Sequence, residues 1–302
     1  MLRVGILTSG GDCQALNATM RAIVKTAMNE SKDPVEFYGF EDGYRGLMYG
    51  HYRQLSWKDV SGLLTQGGTI LGTSRTPFKL INQPDEHGLN KVQAMKSTYA
   101  KLKLDCLCML GGNGSLKTAN LLNEEGLHVI GLPKTIDNDT WGTDRTFGFT
   151  SAIDIATKAI DDIKTTASSH GRVFVIEIMG HKVGWIPLYA GVAGGADVIL
   201  IPEIPFDMDN VIAAIERREK AGGRFAIVVV AEGAITKEEA KLPRKEYKKL
   251  VEQRNSPSIA YDLAKEIERR SGRETRVAIL EGGRTRYEGV VRELVARVRL
   301  VR

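Results

Sequence analysis

The 302-residue chain is short of several things, and each shortage excludes something. It has no run of 18 apolar residues, so no membrane-spanning helix is expected. Its first residues, MLRVGILTSGGD, lack the charged-then-apolar layout of a secretory signal and enter a strand-like segment directly, so a cytoplasmic protein is expected. Only three cysteines are present, and three cannot all pair. Cys106 and Cys108 alternate within DCLCML instead of forming a CxxC, so the thiols read as free and buried rather than as redox or metal ligands. There are no short repeats and no low-complexity linker. Lysine is missing from the end of the chain: all twenty lie at or before Lys265. From Arg269 to Arg302 there are ten Arg and four Glu, a net +6 against +5 for the whole chain. The body is therefore nearly neutral, and the basic balance does not describe a nucleic-acid-binding face.

What remains is 42% hydrophobic, enough for one large or two medium α/β domains. Short Val- and Ile-rich runs without polar alternation predict buried parallel strands at Val4–Thr8, Val35–Phe40, Asp105–Leu110, Val129–Leu132, Val173–Ile178, Val198–Ile201, Ala226–Val230 and Arg276–Leu280. Helical spacing predicts helices at Ala15–Asn29, Lys91–Leu102, Leu116–Glu125, Phe149–Ser168, Asn210–Ala221 and Ser258–Arg270. Such alternation implies an α/β protein of doubly wound parallel sheets. A Gly- and Asp-rich loop gives way to a long helix near Thr146–Phe149. We therefore expect domains over 1–148 and 149–280, with 281–302 as an atypical basic tail whose apolar spacing fits a helix.

In these folds ligands bind beyond the carboxyl ends of strands, and the unusual segments fall there. Ser9-Gly10-Gly11-Asp12 lies between a strand and a helix. Glycine lets the backbone approach a phosphate, and a helix N-terminus favours an anion. No GK[ST] follows, so this is not a Walker loop, and a tight structural turn would read the same way. Gly111-Gly112-Asn113-Gly114-Ser115 repeats the arrangement. Two such loops in one domain can hold a polyphosphate by backbone N–H groups.

The third segment is Lys134-Thr135-Ile136-Asp137-Asn138-Asp139. One carboxylate can accept a proton from a hydroxyl while the other holds Mg²⁺ against phosphate oxygens; an Asx-rich turn is the plainer alternative. Arg75, Arg172 and Arg276 can fork onto phosphate, or serve as ordinary solvated charges.

On LTSGGDCQALNA, GGTILGTSR, LGGNGS, LPKTIDND, SSHGR, IEIMG, AEG and GRETR, in that order, the chain resembles the phosphofructokinases from residue 3 to about 279. The resemblance implies two α/β domains with the active site between them, usually in a homotetramer in which some sites borrow residues from a neighbour. It implies phosphoryl transfer from ATP to fructose 6-phosphate with Mg²⁺, a glycolytic reaction. By motif, Gly11, Tyr44, Arg75, Asn113, Gly114 and Ser115 would serve the donor. Asp137 would be the base, Thr135 would help hold the sugar phosphate and the transferring group, and Lys134 and Gly114 would complete the catalytic set. Asn113 and Asp139 would serve the metal. Met179, Gly180, His181 and Glu232 would line the sugar pocket, and Arg172 and Arg276 would hold the 6-phosphate, across a subunit boundary.

Pyrophosphate users in the family carry Asp where this chain has Gly114, but share Lys134. Gly with Lys points to ATP, with pyrophosphate as the alternative. The chain departs from the family pattern in three places. Asn113 replaces a metal-linked Asp, His181 replaces an Arg, and after Ile279 a His-x-Gln-Arg-Gly-Gly segment is missing. Arg284 is a poorly spaced substitute there. The last departure suggests an altered C-terminus, and with Asn113 it keeps a non-catalytic nucleotide or sugar-phosphate binder in view. A NAD or lipid kinase would share the glycine loop but not TIDND.

Overall fold

The computed structural model describes residues 1–254 and 256–280. The expected basic tail and Arg284 lie outside them. The described residues divide into two compact units, the first over 1–149 and the second from Thr150 onward.

In the first unit the order is β1 (Leu2–Ser9), α1 (Ala15–Glu30), β2 (Val35–Phe40), α2 (Tyr44–Tyr49), β3 (Tyr52–Leu55), α3 (Trp57–Val60), α4 (Lys91–Leu102), β4 (Cys106–Gly111), α5 (Asn113–Glu124), β5 (Val129–Thr135) and β6 (Phe147–Gly148). The sheet order is β3-β2-β1-β4-β5-β6. Strand alternation sorts the core onto two faces. Ile6, Phe37, Cys108 and Leu110 pack with Leu16, Met20 and Val24 of α1. Leu7, Phe40, Leu107 and Met109 pack with Leu47, Met95 and Leu122 of α2, α4 and α5. Leu16, Met20 and Val24 recur every four residues and are fully buried, each stabilising the unit by about 1.5–3 kcal/mol. At the start of α4, the Asn90 side chain accepts from the Gln93 N–H at 3.1 Å, and the helix ends on Lys103 in the left-handed region.

Val- and Ile-rich runs imply parallel strands only, yet β3 pairs antiparallel to β2. The eleven-residue link between them carries one short helix, too little for the return crossover that a parallel partner needs.

The second unit is entered on α6 (Phe149–His170). It continues with β7 (Val173–Ile178), α7 (Trp185–Ala193), β8 (Val198–Leu200), α8 (Met208–Lys220), β9 (Ala226–Ala231), α9 (Arg244–Glu252), α10 (Ile259–Ser271) and β10 (Thr275–Leu280). Its sheet runs β10-β7-β9-β8, parallel throughout. Val173, Val175, Val228 and Val230 pack against Val211 and Ile215 of α8 and Leu263 and Ile267 of α10. α10 stops where Gly272 takes a φ of 66°, a conformation that costs glycine little. α7 carries no amphipathic signal in sequence, because WIPLYAGVA is apolar on every side and contains Pro187, which the first helical turn tolerates. Among the described residues no helix is long and apolar enough to cross a membrane. The three cysteines are free; Cys108 is buried, whereas Cys13 and Cys106 are only partly so.

Candidate functional site

β1 is flanked by β2 on one side and β4 on the other, so the winding reverses direction between β1 and β4. Loops leaving the carboxyl ends of two such strands diverge and open a crevice. The two glycine segments are those loops, and the segment leaving β5 joins them.

Gly10 shows how closely they meet. It has a φ of +89°, and a β-carbon there would lie 3.7 Å from Lys134 Nζ and 3.9 Å from Ser115 Oγ. Its N–H donates to the Ser74 carbonyl at 3.1 Å, and Thr73 Oγ1 donates to its carbonyl at 2.8 Å, so a fourth loop supports the first. That loop is pinned by Asn17: Nδ2 donates to the Gln66 and Gly67 carbonyls, both at 3.2 Å, and Oδ1 accepts from the Ile70 N–H at 2.8 Å. Arg75 is exposed on it, with Nη2 3.9 Å from the β-position of Gly11.

The second glycine segment differs from the sequence expectation. The helix begins at Asn113, not at Leu116, so Asn113, Gly114 and Ser115 form its first turn and their N–H groups lack intrahelical acceptors. These donors and the helix dipole suit an anion. Nothing lies within 4 Å of a β-carbon placed on Gly114, so this position faces open space. Ser115 Oγ donates to Ser9 Oγ at 2.9 Å, linking the two segments. Tyr44, expected to line the donor site, is 1% exposed, and its hydroxyl donates to the Ser115 carbonyl at 2.8 Å. It supports the turn from beneath, and burial raises its pKa far enough to keep the phenol protonated.

Lys134 is 4% exposed, and its ammonium donates to the Gly11 carbonyl. Burial lowers its pKa; Cys13, Asp12 and Asp137 oppose that shift, and Arg75 adds to it. Burial also pushes the Cys13 thiol up, with Lys134 pulling the other way. Asp137 is half-buried, and its N–H donates to Thr135 Oγ1 at 3.1 Å. Asn113 Nδ2 donates to both the Asp139 carbonyl and a carboxylate oxygen, each at 3.1 Å. The two residues expected to serve a metal therefore stand side by side. One carboxylate beside an amide fits Mg²⁺, which is commonly held through one or two carboxylates while substrate phosphates and water complete its shell.

In the second unit the expected residues separate into two groups. Gly180 and His181 follow β7, and both backbone N–H groups donate to Glu232 Oε1, the former at 3.1 Å. Glu232, expected to bond sugar hydroxyls, thus spends one oxygen holding this turn. His181 has a φ of 55°, and a β-carbon on Gly180 would come within 2.5 Å of the Val183 carbonyl, so the turn requires glycine there. Glu203, to which the sequence reading gives no role, accepts from the Gly184 N–H through both oxygens at 2.9 and 3.1 Å. Met179 is tied in by its N–H to the Leu280 carbonyl at 3.3 Å.

The second group lies at the opposite end of the sheet. Arg172 immediately precedes β7, and Arg276 pairs with Phe174 near the start of β10. Glu274 joins them: Arg172 Nε donates to one carboxylate oxygen at 2.7 Å and Arg276 Nη2 to the other. The hydrogen bond from Arg172 and the charges of both guanidiniums hold the Glu274 carboxyl below its ordinary range. β7 spans six residues, which separates Arg172 from Met179 by about 20 Å. One hexose phosphate does not bridge that distance.

The signals missed in sequence are the polar residues that shape the loops: Asn17, Asn138 and Glu203. Each sits next to or within a recognisable segment, but its bonding is long-range or depends on a left-handed backbone.

The phosphofructokinase family model matches residues 3–285. Over 279 residues the chain is 53% identical to an ATP-dependent 6-phosphofructokinase of Spirochaeta thermophila, covering 91% of this chain and 76% of that protein. It is 44% identical over 281 residues to the pyrophosphate–fructose 6-phosphate 1-phosphotransferase of Amycolatopsis methanolica, covering 92% and 79%. Among solved structures it superposes on phosphofructokinase from Saccharomyces cerevisiae with a TM-score of 0.78 at 30% identity, covering 99% of this chain but only 41% of the yeast chain.

Proposed function

The chain belongs to the phosphofructokinase family, and from that premise we propose that it transfers the γ-phosphoryl group of ATP to the 1-hydroxyl of fructose 6-phosphate, giving fructose 1,6-bisphosphate and ADP. The observation that carries this reading is that hydrogen bonds bring the loops after β1, β4 and β5 together. There the free N–H groups of the first turn of α5, Arg75 and two carboxylates stand together.

Phosphoryl transfer asks a protein for positioning, charge neutralisation and an oriented nucleophile. Asn113, Gly114 and Ser115 supply backbone donors to the polyphosphate, and Arg75 supplies a cation. Asp137 accepts the proton of the 1-hydroxyl as that oxygen bonds to the γ-phosphorus. The bond to the β-phosphate oxygen breaks, and ADP leaves. Thr135 and Lys134 hold the group in transit. Asp139, with Asn113, would hold Mg²⁺, which when bound would supply positive charge against the phosphate oxygens. Met179, Gly180, His181 and Glu232 receive the sugar.

Arg172 and Arg276 hold the 6-phosphate, but of a sugar bound to a neighbouring copy. The separation of about 20 Å along β7 supports that arrangement and, with it, a homo-oligomer.

ATP as donor is supported by the open space at Gly114, where an aspartate would meet the α-phosphate. A second reading, pyrophosphate as donor, is supported by Lys134 and by the 44% identity to the Amycolatopsis enzyme. An assay coupled to fructose 1,6-bisphosphate formation, run with each donor in excess Mg²⁺, decides between them. Higher kcat/KM with ATP is expected; turnover with pyrophosphate alone would reverse the assignment.

A further inference from the structure

Asn138 separates the two carboxylates of the segment leaving β5, and it is one of four non-glycine residues with positive φ among the described residues. Its φ is 55°, in a region that L-residues populate sparsely and asparagine tolerates better than most. In extended chain the residues on either side of it would lie on one face. Here the chain turns between them. Asp137 stays folded over Thr135, to whose Oγ1 its N–H donates at 3.1 Å. Asp139 reaches the first residue of α5, where Asn113 Nδ2 meets its carboxylate at 3.1 Å.

The side chain of Asn138 locks that turn with both of its polar atoms. Oδ1 accepts from the Thr146 N–H at 2.9 Å, with Thr146 Oγ1 3.3 Å away. Nδ2 donates to the Asp144 carbonyl at 3.1 Å. Thr146 is 4% exposed, and its hydroxyl donates to the Thr135 carbonyl at 2.7 Å. A closed ring therefore runs from Thr135 through Thr146 to Asn138. It fixes the last residue of β5, the residue that follows the loop and the turn between the carboxylates. Replacing the amide removes two bonds at once, and an alanine also resists the left-handed backbone.

Taking the activity proposed above as given, we infer that Asn138 is a positioning residue: it does not meet the reacting atoms but sets Asp137 and Asp139 in two separate places, one for proton transfer and one for the metal. A residue acting this way governs the chemical step more than ground-state binding. Misplacement of a reacting group by about 1 Å costs about 100-fold in rate.

The test compares Asn138→Ala and Asn138→Gly with the wild-type protein in steady-state kinetics and thermal unfolding. Asn138→Ala is expected to lose about 100-fold in kcat while both KM values stay within about twofold. Asn138→Gly keeps the left-handed backbone without the side-chain bonds, and is expected to recover part of that loss. A fall in kcat below about fivefold for Asn138→Ala would overturn the inference. So would a loss in which both KM values rise together with a collapse in melting temperature. If the wild-type protein makes no fructose 1,6-bisphosphate, the functional reading fails on its own. The positioning role is then decided by amide exchange in wild type and Asn138→Ala. Faster exchange at both Asp137 and Thr146 supports it, and unchanged exchange at Asp137 overturns it.

Discussion

The two units treat their candidate residues in opposite ways. The first gathers the residues proposed for donor, base and metal at the carboxyl ends of β1, β4 and β5, where hydrogen bonds between loops hold them in one place. The second splits its residues between the two ends of a six-residue strand, with an arginine pair at one end and the Met179–His181 turn at the other. In the first unit the candidate residues meet within one unit; in the second they lie about 20 Å apart along β7, which is why we propose that the two ends serve different sites.

The largest effect is expected inside the first unit. Asp137→Asn removes the proposed general base and should lower kcat by about 100- to 10,000-fold, with the KM for fructose 6-phosphate little changed. A variant keeping a tenth of wild-type turnover would remove Asp137 from that role.

Next comes complementation, which tests the split directly. Asp137→Asn and Arg276→Ala should each be nearly inactive alone. Subunits exchanged between them should regain activity, because some hybrids carry one intact site assembled from both chains. If no mixture regains activity while exchange is demonstrated, the arginines do not serve a neighbour.

Gly114→Asp probes the donor. No atom lies within 4 Å of the added β-carbon, so the fold should tolerate the change. Placing a carboxylate beside the donor should cut kcat/KM for ATP by about tenfold or more, like charges being costly at a phosphate site. Pyrophosphate use should fall less. An equal loss with both donors would mean that this position does not discriminate.

The smallest effect concerns Glu274. Its carboxyl is held below the usual glutamate range by Arg172 first, with Arg276 contributing. A depressed folded-state pKa adds stability above the unfolded value of about 4.3, and that stability is lost as pH falls through the folded value. The wild-type melting temperature should therefore drop more than that of Glu274→Gln on acidification below about pH 4.3. Because the pair is well exposed, the difference should be small. The same variant should lower the KM for fructose 6-phosphate by no more than a few-fold, since the arginines then lose a competing anion.

The fold was legible because its signals are local. Val- and Ile-rich strands bounded by glycine loops, and helices with four-residue apolar spacing, name their own structure. α7 and β3 escaped because one is apolar all round and the other is set by the length of the link before it. The first unit's loops were also legible, since Gly10, Gly114 and the carboxylates at 137 and 139 belong to contiguous segments. Their supports were not. Asn17 reaches fifty residues ahead, and Tyr44 lies beneath Ser115, seventy-one residues away. Glu232 lies in a recognisable segment, but the backbone turn that one of its oxygens holds has no local signal. Such roles depend on what folding brings together, which no local pattern states.

Phosphoryl transfer to the sugar is tested most directly by ³¹P NMR of the protein mixed with ATP, Mg²⁺ and fructose 6-phosphate. Growth of a second sugar phosphomonoester resonance in step with ADP is the predicted result. ATP that stays intact, or that yields only inorganic phosphate with no new sugar phosphate, would contradict it.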